Sequence, residues 1–229
     1  MMAASPLSDL LSKSSIDLPA YEELYKHFHQ NPELSDFEAQ TAKKVAEELA
    51  KLQSFKITTD IGGHGVAAVL ENGPGNTILL RSDMDALPVL ETTGLPYASK
   101  ATMADAEGNI KPIMHACGHD MHMTCLLAAA KILIQLKDHW QGTLVLIFQP
   151  AEERGTGAQA MVDDGLYTKH NIPVPDFALG QHVVAARAGS VKSRIGPIMA
   201  AADSMKITLS GRGGHGSQVS LNQSQLVPY

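Results

Sequence analysis

The chain has 229 residues, enough for one large domain or one domain with part of a second. It is 44% hydrophobic and 18% charged, with a net charge of −6 and acids and bases interspersed, which argues against a disordered chain and against a basic footprint for nucleic acid. Two cysteines, Cys117 and Cys125, are too few for a disulfide framework and suit a reducing compartment. No charged start followed by a long apolar core is present in the first residues, and no apolar run reaches bilayer length. A cytoplasmic protein with neither membrane nor nucleic-acid partners is expected.

Residues 1–18 read as a polar, poorly ordered lead-in. A helix is expected over 21–30, with Leu24, Tyr25 and Phe28 at helical spacing and Asn31-Pro32 ending it. Ser35 then fits an N-cap, with Glu38 three positions on as its capping-box partner. The apolar face of that second helix runs through Ala42, Val45, Ala46 and Leu49. Strands are expected at 55–59, 66–70 and 77–80, separated by glycine-rich turns. The third runs into Asp83-Met84-Asp85. Residues 91–114 read as a loop. A strongly apolar helix is expected over 121–136, a buried strand at 144–148, a helix at 157–164 closed by Gly165, and a strand at 177–179.

This alternation predicts an α/β fold, a three-layer domain on a mostly parallel sheet, over residues 19–190. From about Ser190 the pattern changes to strands, at 191–195 and 204–209, with no helix between them. A domain boundary is placed near 185–195, with the start of an α+β domain over 191–229.

Four polar clusters stand at strand ends or in the loops beyond them: Asp83/Asp85, Cys117/His119/Asp120, Glu152/Glu153 and His182. Each alone has an ordinary structural explanation. A Cys-x-His is more often structural than metal-binding, and a Glu-Glu pair is usually a solvated surface feature. Together they are harder to dismiss, because parallel strands gather their C-terminal ends on one edge of a sheet. Thiolate, imidazole and carboxylate at one place suit zinc, manganese, cobalt or nickel. In an adjacent acid pair, one carboxylate can bind metal while its neighbour moves a proton. Cys117 precedes a helix N-terminus, whose dipole would favour its thiolate. Asp83 reads as a strand terminator, His122 as a supporting residue and Cys125 as an inert buried thiol.

The stretches RSDMDALP (81–88), HACGHDMHMT (115–124), FQPAEERGTGAQAMVDDG (148–165), LGQHV (179–183) and GRGGHGSQ (211–218) resemble the M20 metallopeptidase family, in its order and spacing. The branch they are similar to contains N-acyl amino acid amidohydrolases, hippurate hydrolases and auxin-conjugate hydrolases. The resemblance implies two divalent metal ions, with Cys117, His119, Glu153 and His182 as ligands. It implies Glu152 as the general base and acid, and Asp85 as a carboxylate that orients a ligand. His215 would stabilise the oxyanion across a dimer interface. The implied reaction is hydrolysis of the amide bond of a small N-acyl amino acid, in a homodimer formed through an inserted dimerisation domain. Family chains of this branch run longer and carry a further histidine ligand. The residues after Gln218 also depart from the family pattern. The chain is therefore expected to be C-terminally truncated inside the inserted domain, and weakly active or inactive by itself. A metal-binding fragment without catalysis is the alternative. A thiol-redox protein is disfavoured, since Cys117 and Cys125 do not form a Cys-x-x-Cys.

Overall fold

The computed structural model of the chain describes residues 6–201 together with 205, 207 and 208. The chain divides into two units between Val184 and Ala185. In the second, the described residues are exposed and form no helix or strand. The strand expected at 191–195 is absent, since a strand needs a partner and none pairs with it among the described residues. The strand expected at 204–209 lies largely outside the described residues.

The first unit begins with α1 (Pro6–Leu11), a short helix within the expected lead-in. α2 (Leu18–Gln30) and α3 (Ala39–Lys51) follow, then β1 (Lys56–Ile61), β2 (Gly65–Asn72) and β3 (Thr77–Asp83). β4 (Thr102–Ala104) and β5 (Ile110–Pro112) form a small hairpin where a loop was expected. Its turn is drawn tight by Asp105, whose carboxylate accepts from the N–H groups of Glu107 and Asn109. α4 (His119–Gln135), β6 (Gly142–Gln149), α5 (Gly157–Asp163) and β7 (Phe177–Gly180) complete the unit.

The main sheet has the order β1-β2-β6-β3-β7. β3 runs parallel to both β6 and β7, and β2 runs against both its neighbours, so every strand but β2 points the same way. Two apolar clusters lie on its two faces. In β6, Leu144, Leu146 and Phe148 join one cluster, while Val145 and Ile147 join the other. The first cluster takes Leu24 and Phe28 of α2, Val45 and Leu49 of α3, and Met123, Leu126 and Leu127 of α4. The second takes Met161 of α5. Helices on both faces make the expected three layers. Covering both faces explains why β2 and β6 read as continuous apolar runs. Burial of a side chain such as Leu49 contributes about 1.5–3 kcal/mol. Among the described residues no helix is long and apolar enough to cross a membrane.

The capping box expected for α3 does not form. Glu38 occupies the N-cap position but makes no side-chain cap bond. The N–H groups of Gln40 and Thr41 are instead taken by the carboxylate of Glu33. Ser35 donates to Asp85, and Glu38 accepts from Ala151. Long-range partners displaced the local motif, and both displaced side chains face the candidate site.

Candidate metal centre

The register of the sheet brings the polar clusters together. Asp83, the last residue of β3, lies opposite Gln149, the last residue of β6, and Arg81 lies opposite Gly180 of β7. Three neighbouring parallel strands therefore end at one edge. They lead directly to Asp85, to Glu152 and Glu153, and to His182. Cys117 and His119 enter from the start of α4. Between them Gly118 adopts a φ of 85°, and a Cβ there would lie 2.4 Å from a Val183 methyl. A side chain at that position would crowd Val183, the residue after His182.

His119 is the centre of the cluster. Its Nδ1 lies 3.2 Å from Asp85 Oδ1. Its Nε2 lies 3.5 Å from Asp83 Oδ2, 3.7 Å from Glu152 Oε2 and 3.8 Å from Glu153 Oε1. Cys117 Sγ is 3.3 Å from His182 Nε2. Candidate ligand atoms of Cys117, His119 and His182 lie within 4.8 Å of one another, as do those of His119, Glu152 and Glu153. The sequence-expected residues Asp85, Cys117, His119, Glu152, Glu153 and His182 are thus neighbours. His215 lies outside the described residues.

The electrostatics fit a cation. His119 is fully buried, yet its Nε2 has no hydrogen-bond partner, and neither has the buried Oε1 of Glu153. Unpaired buried polar atoms are costly, and here they face each other across a gap that a cation would bridge. Burial opposes charge on His119, but the hydrogen bond to Asp85 and the Asp83 carboxylate outweigh it and raise its pKa. Burial raises the pKa of Glu153, against the pull of His119, and the like charge of Glu152 adds to the rise. Burial, with the charges of Glu153 and Glu152, pushes the Cys117 thiol up to about 12. Burial first, and then the nearby carboxylates, act against the helix dipole at Cys117, and a bound cation would act the other way.

A further chain of contacts supports His182. Burial opposes ionisation of Asp83, but the hydrogen bond from His122 and the charges of His119 and Arg81 hold its pKa at about 2. Asp83 Oδ1 is 2.7 Å from His122 Nδ1. His122 Nε2 accepts from the Val183 N–H at 2.9 Å. His182 Nδ1 donates to the Val183 carbonyl at 2.6 Å, which leaves Nε2 free to bind metal. Asp83 does more than terminate its strand. The signal available in the sequence was that His119 and His122 are three apart, on one face of α4. Cys125, expected to be buried, is exposed. His115 is a core residue, and burial drives its pKa down to about 4.

The family model described as Peptidase family M20/M25/M40 matches residues 79–227. The chain is 40% identical to thermostable carboxypeptidase 2 of Saccharolobus solfataricus, over 91% of this chain and 52% of that protein. It is 43% identical to the hippurate hydrolase of Campylobacter jejuni, over 86% of this chain and 48% of that protein. Among solved structures, the YXEP protein of Bacillus subtilis, a dinuclear metal-binding peptidase of the M20 family, superposes with a TM-score of 0.61 at 33% identity. The match covers 72% of this chain and 42% of that one. The chain spans about half the length of the curated relatives it matches. A family match over most of the chain and a sheet edge that gathers the same motifs identify it as a member of peptidase family M20/M25/M40.

Proposed function

We propose that the chain carries the metal-dependent amide-hydrolysing site of an N-acyl amino acid amidohydrolase. The observation that carries this is the buried, unpaired Nε2 of His119, ringed by carboxylates and flanked by the Cys117–His182 pair. Cys117, His119, Glu153 and His182 would hold two divalent ions of zinc, manganese, cobalt or nickel. When bound, such ions polarise a carbonyl and lower the pKa of water. Asp85 holds the Nδ1 side of His119 and the N–H of Glu153, which keeps both donor atoms turned into the site.

Glu152 is the more exposed carboxylate of the pair, with side chains 37% and 19% accessible for Glu152 and Glu153. Accessibility suits a group that exchanges protons. Glu152 takes a proton from the attacking water and passes it to the leaving nitrogen. His215, acting across a homodimer interface, would stabilise the oxyanion. The products are a carboxylic acid and an amino acid. Similarity to a hippurate hydrolase, whose substrate is an N-acyl amino acid, supports this substrate class.

The test is turnover of N-benzoyl and N-acetyl amino acids by the purified chain, supplied with zinc or manganese. In Glu152→Gln, turnover is expected to fall roughly 100- to 10,000-fold while bound metal is unchanged. Turnover that survives this substitution removes Glu152 from the proton path. Metal bound by the wild-type chain with no turnover supports the second reading, a metal-holding chain without catalysis.

A further inference from the structure

Glu38 is fully buried, and its carboxyl does not serve the helix it begins. Its Oε1 accepts the backbone N–H of Ala151 at 2.7 Å, across 113 residues of sequence. Its Oε2 is buried with no hydrogen-bond partner. Ala151 is itself buried, and it is a non-glycine residue with φ of 45°, in the left-handed region that side chains disfavour. Such a conformation persists only where its surroundings over-determine it.

The surroundings do so. The Ala151 carbonyl accepts from the N–H groups of Thr156 and Gly157, both at 3.2 Å. The Glu152 carbonyl accepts from Gly155 N–H at 2.8 Å. The Glu153 N–H donates to Asp85 Oδ2 at 2.9 Å, and the same oxygen accepts from Ser35 Oγ at 2.7 Å. The backbone is therefore held on both sides of Glu152, by Glu38 before it and by Asp85 after it. Ser35 and Glu38 belong to one short segment between α2 and α3, so that segment anchors both holds.

We infer that Glu38 is a positioning residue for Glu152: its carboxyl holds Ala151 in the left-handed conformation that aims Glu152 at His119 Nε2. Burial pushes the Glu38 carboxyl up to about 7, so keeping it there has a cost that a purely apolar contact would avoid. The Ala151 N–H is the strongest of the backbone contacts that offset this cost, ahead of those at Glu38 itself and Asp36. The inference rests on Glu152 being the proton carrier, but the hold itself can be measured without turnover.

Three variants test it in the full chain. Glu38→Leu removes the acceptor and keeps an apolar side chain of similar bulk. Glu38→Gln keeps a carbonyl oxygen at the same reach. Glu38→Asp keeps the carboxyl but shortens it, and serves if the leucine variant does not fold. Amide hydrogen exchange at Ala151 in the metal-free chain should rise at least ~10-fold in the leucine and aspartate variants and stay near wild type in the glutamine variant. On N-benzoylglycine, kcat should fall roughly 100-fold in the leucine variant with KM within about threefold, since misplacement of a reacting group by about 1 Å has that effect. The glutamine variant should recover most of it. Wild-type exchange at Ala151 in a folded leucine or aspartate variant overturns the inference, as does a kcat loss that glutamine does not rescue. If Glu152→Gln keeps turnover while the exchange pattern appears as expected, the Glu152 reading has failed and the backbone hold has not.

Discussion

The Asp83 carboxylate and the His122 imidazole, both buried, meet at 2.7 Å, and the far nitrogen of His122 accepts the Val183 N–H. Asp83 thereby fixes the backbone next to His182 through His122. Outer partners of metal-binding histidines commonly set affinity. Asp83→Ala should lower the affinity for zinc or manganese by roughly 10- to 100-fold. Competition with a chelator of known affinity measures this. Wild-type affinity in a folded variant would show that the His122 contact plays no part.

Gly157 marks how closely α5 approaches the loop that carries the acid pair. A Cβ at Gly157 would lie 1.6 Å from the Pro150 carbonyl oxygen. Backbone must move to admit it, and Ala151–Glu153 lie in what moves. Gly157→Ala should destabilise the chain by about 1–3 kcal/mol. It should also weaken metal binding, since Glu153 shifts. Urea unfolding and metal titration report the two effects, and a variant unchanged in both would disprove the tight approach.

His29 gives the chain a pH-dependent brace. It lies 2.7 Å from Asp120 and 3.1 Å from Glu91, and it is almost fully buried. The hydrogen bond to Asp120, helped by that to Glu91 and opposed by burial, raises its pKa to about 9. A raised histidine pKa means the folded state holds the proton more tightly than the unfolded one. The stabilisation is complete below the ordinary value near 6.5 and is lost as pH rises through about 9. Urea midpoints should fall between those limits, by on the order of 3 kcal/mol in stability. His29→Gln should flatten that slope, and an unchanged slope would assign it to other groups.

Leu49 of α3 is fully buried in the cluster that joins α2, α3 and α4 to the sheet. Leu49→Ala should cost about 2–5 kcal/mol. Metal affinity, measured below the unfolding transition, should stay at the wild-type level, because Leu49 belongs to the apolar layer rather than the strand ends. A stability change well under about 2 kcal/mol, the lower limit for such a truncation, would mean the site repacks.

The frame of the fold was legible because β2, β6 and α4 carry apolar runs whose lengths, 8, 8 and 17 residues, separate strand from helix. The meeting of Glu152, Glu153 and His182 could be anticipated from strand ends, whereas Cys117 and His119, at the start of α4, were joined to them by the family resemblance. How these residues are held could not be anticipated. Ser35 and Glu38 have capping-box spacing, yet their partners are Asp85 and Ala151, far away in sequence. A local motif cannot reveal that a distant backbone competes for the same side chains. The β4–β5 hairpin escaped notice because each strand is three residues long, too short for alternation to register. Cys125 misled because α4 is apolar nearly all round, so composition did not say which side faces out.

β7 differs from the strands beside it. β3 and β6 are largely covered, whereas every residue of β7 is exposed and its pairing among the described residues is with β3 alone. His182 is thus attached to the least secured part of an otherwise firm scaffold. The donors on α4 and after β6 would survive a local fraying that carries His182 off. An ion held by His182 together with Cys117 would act as a rivet, fastening β7 to the rest of the sheet.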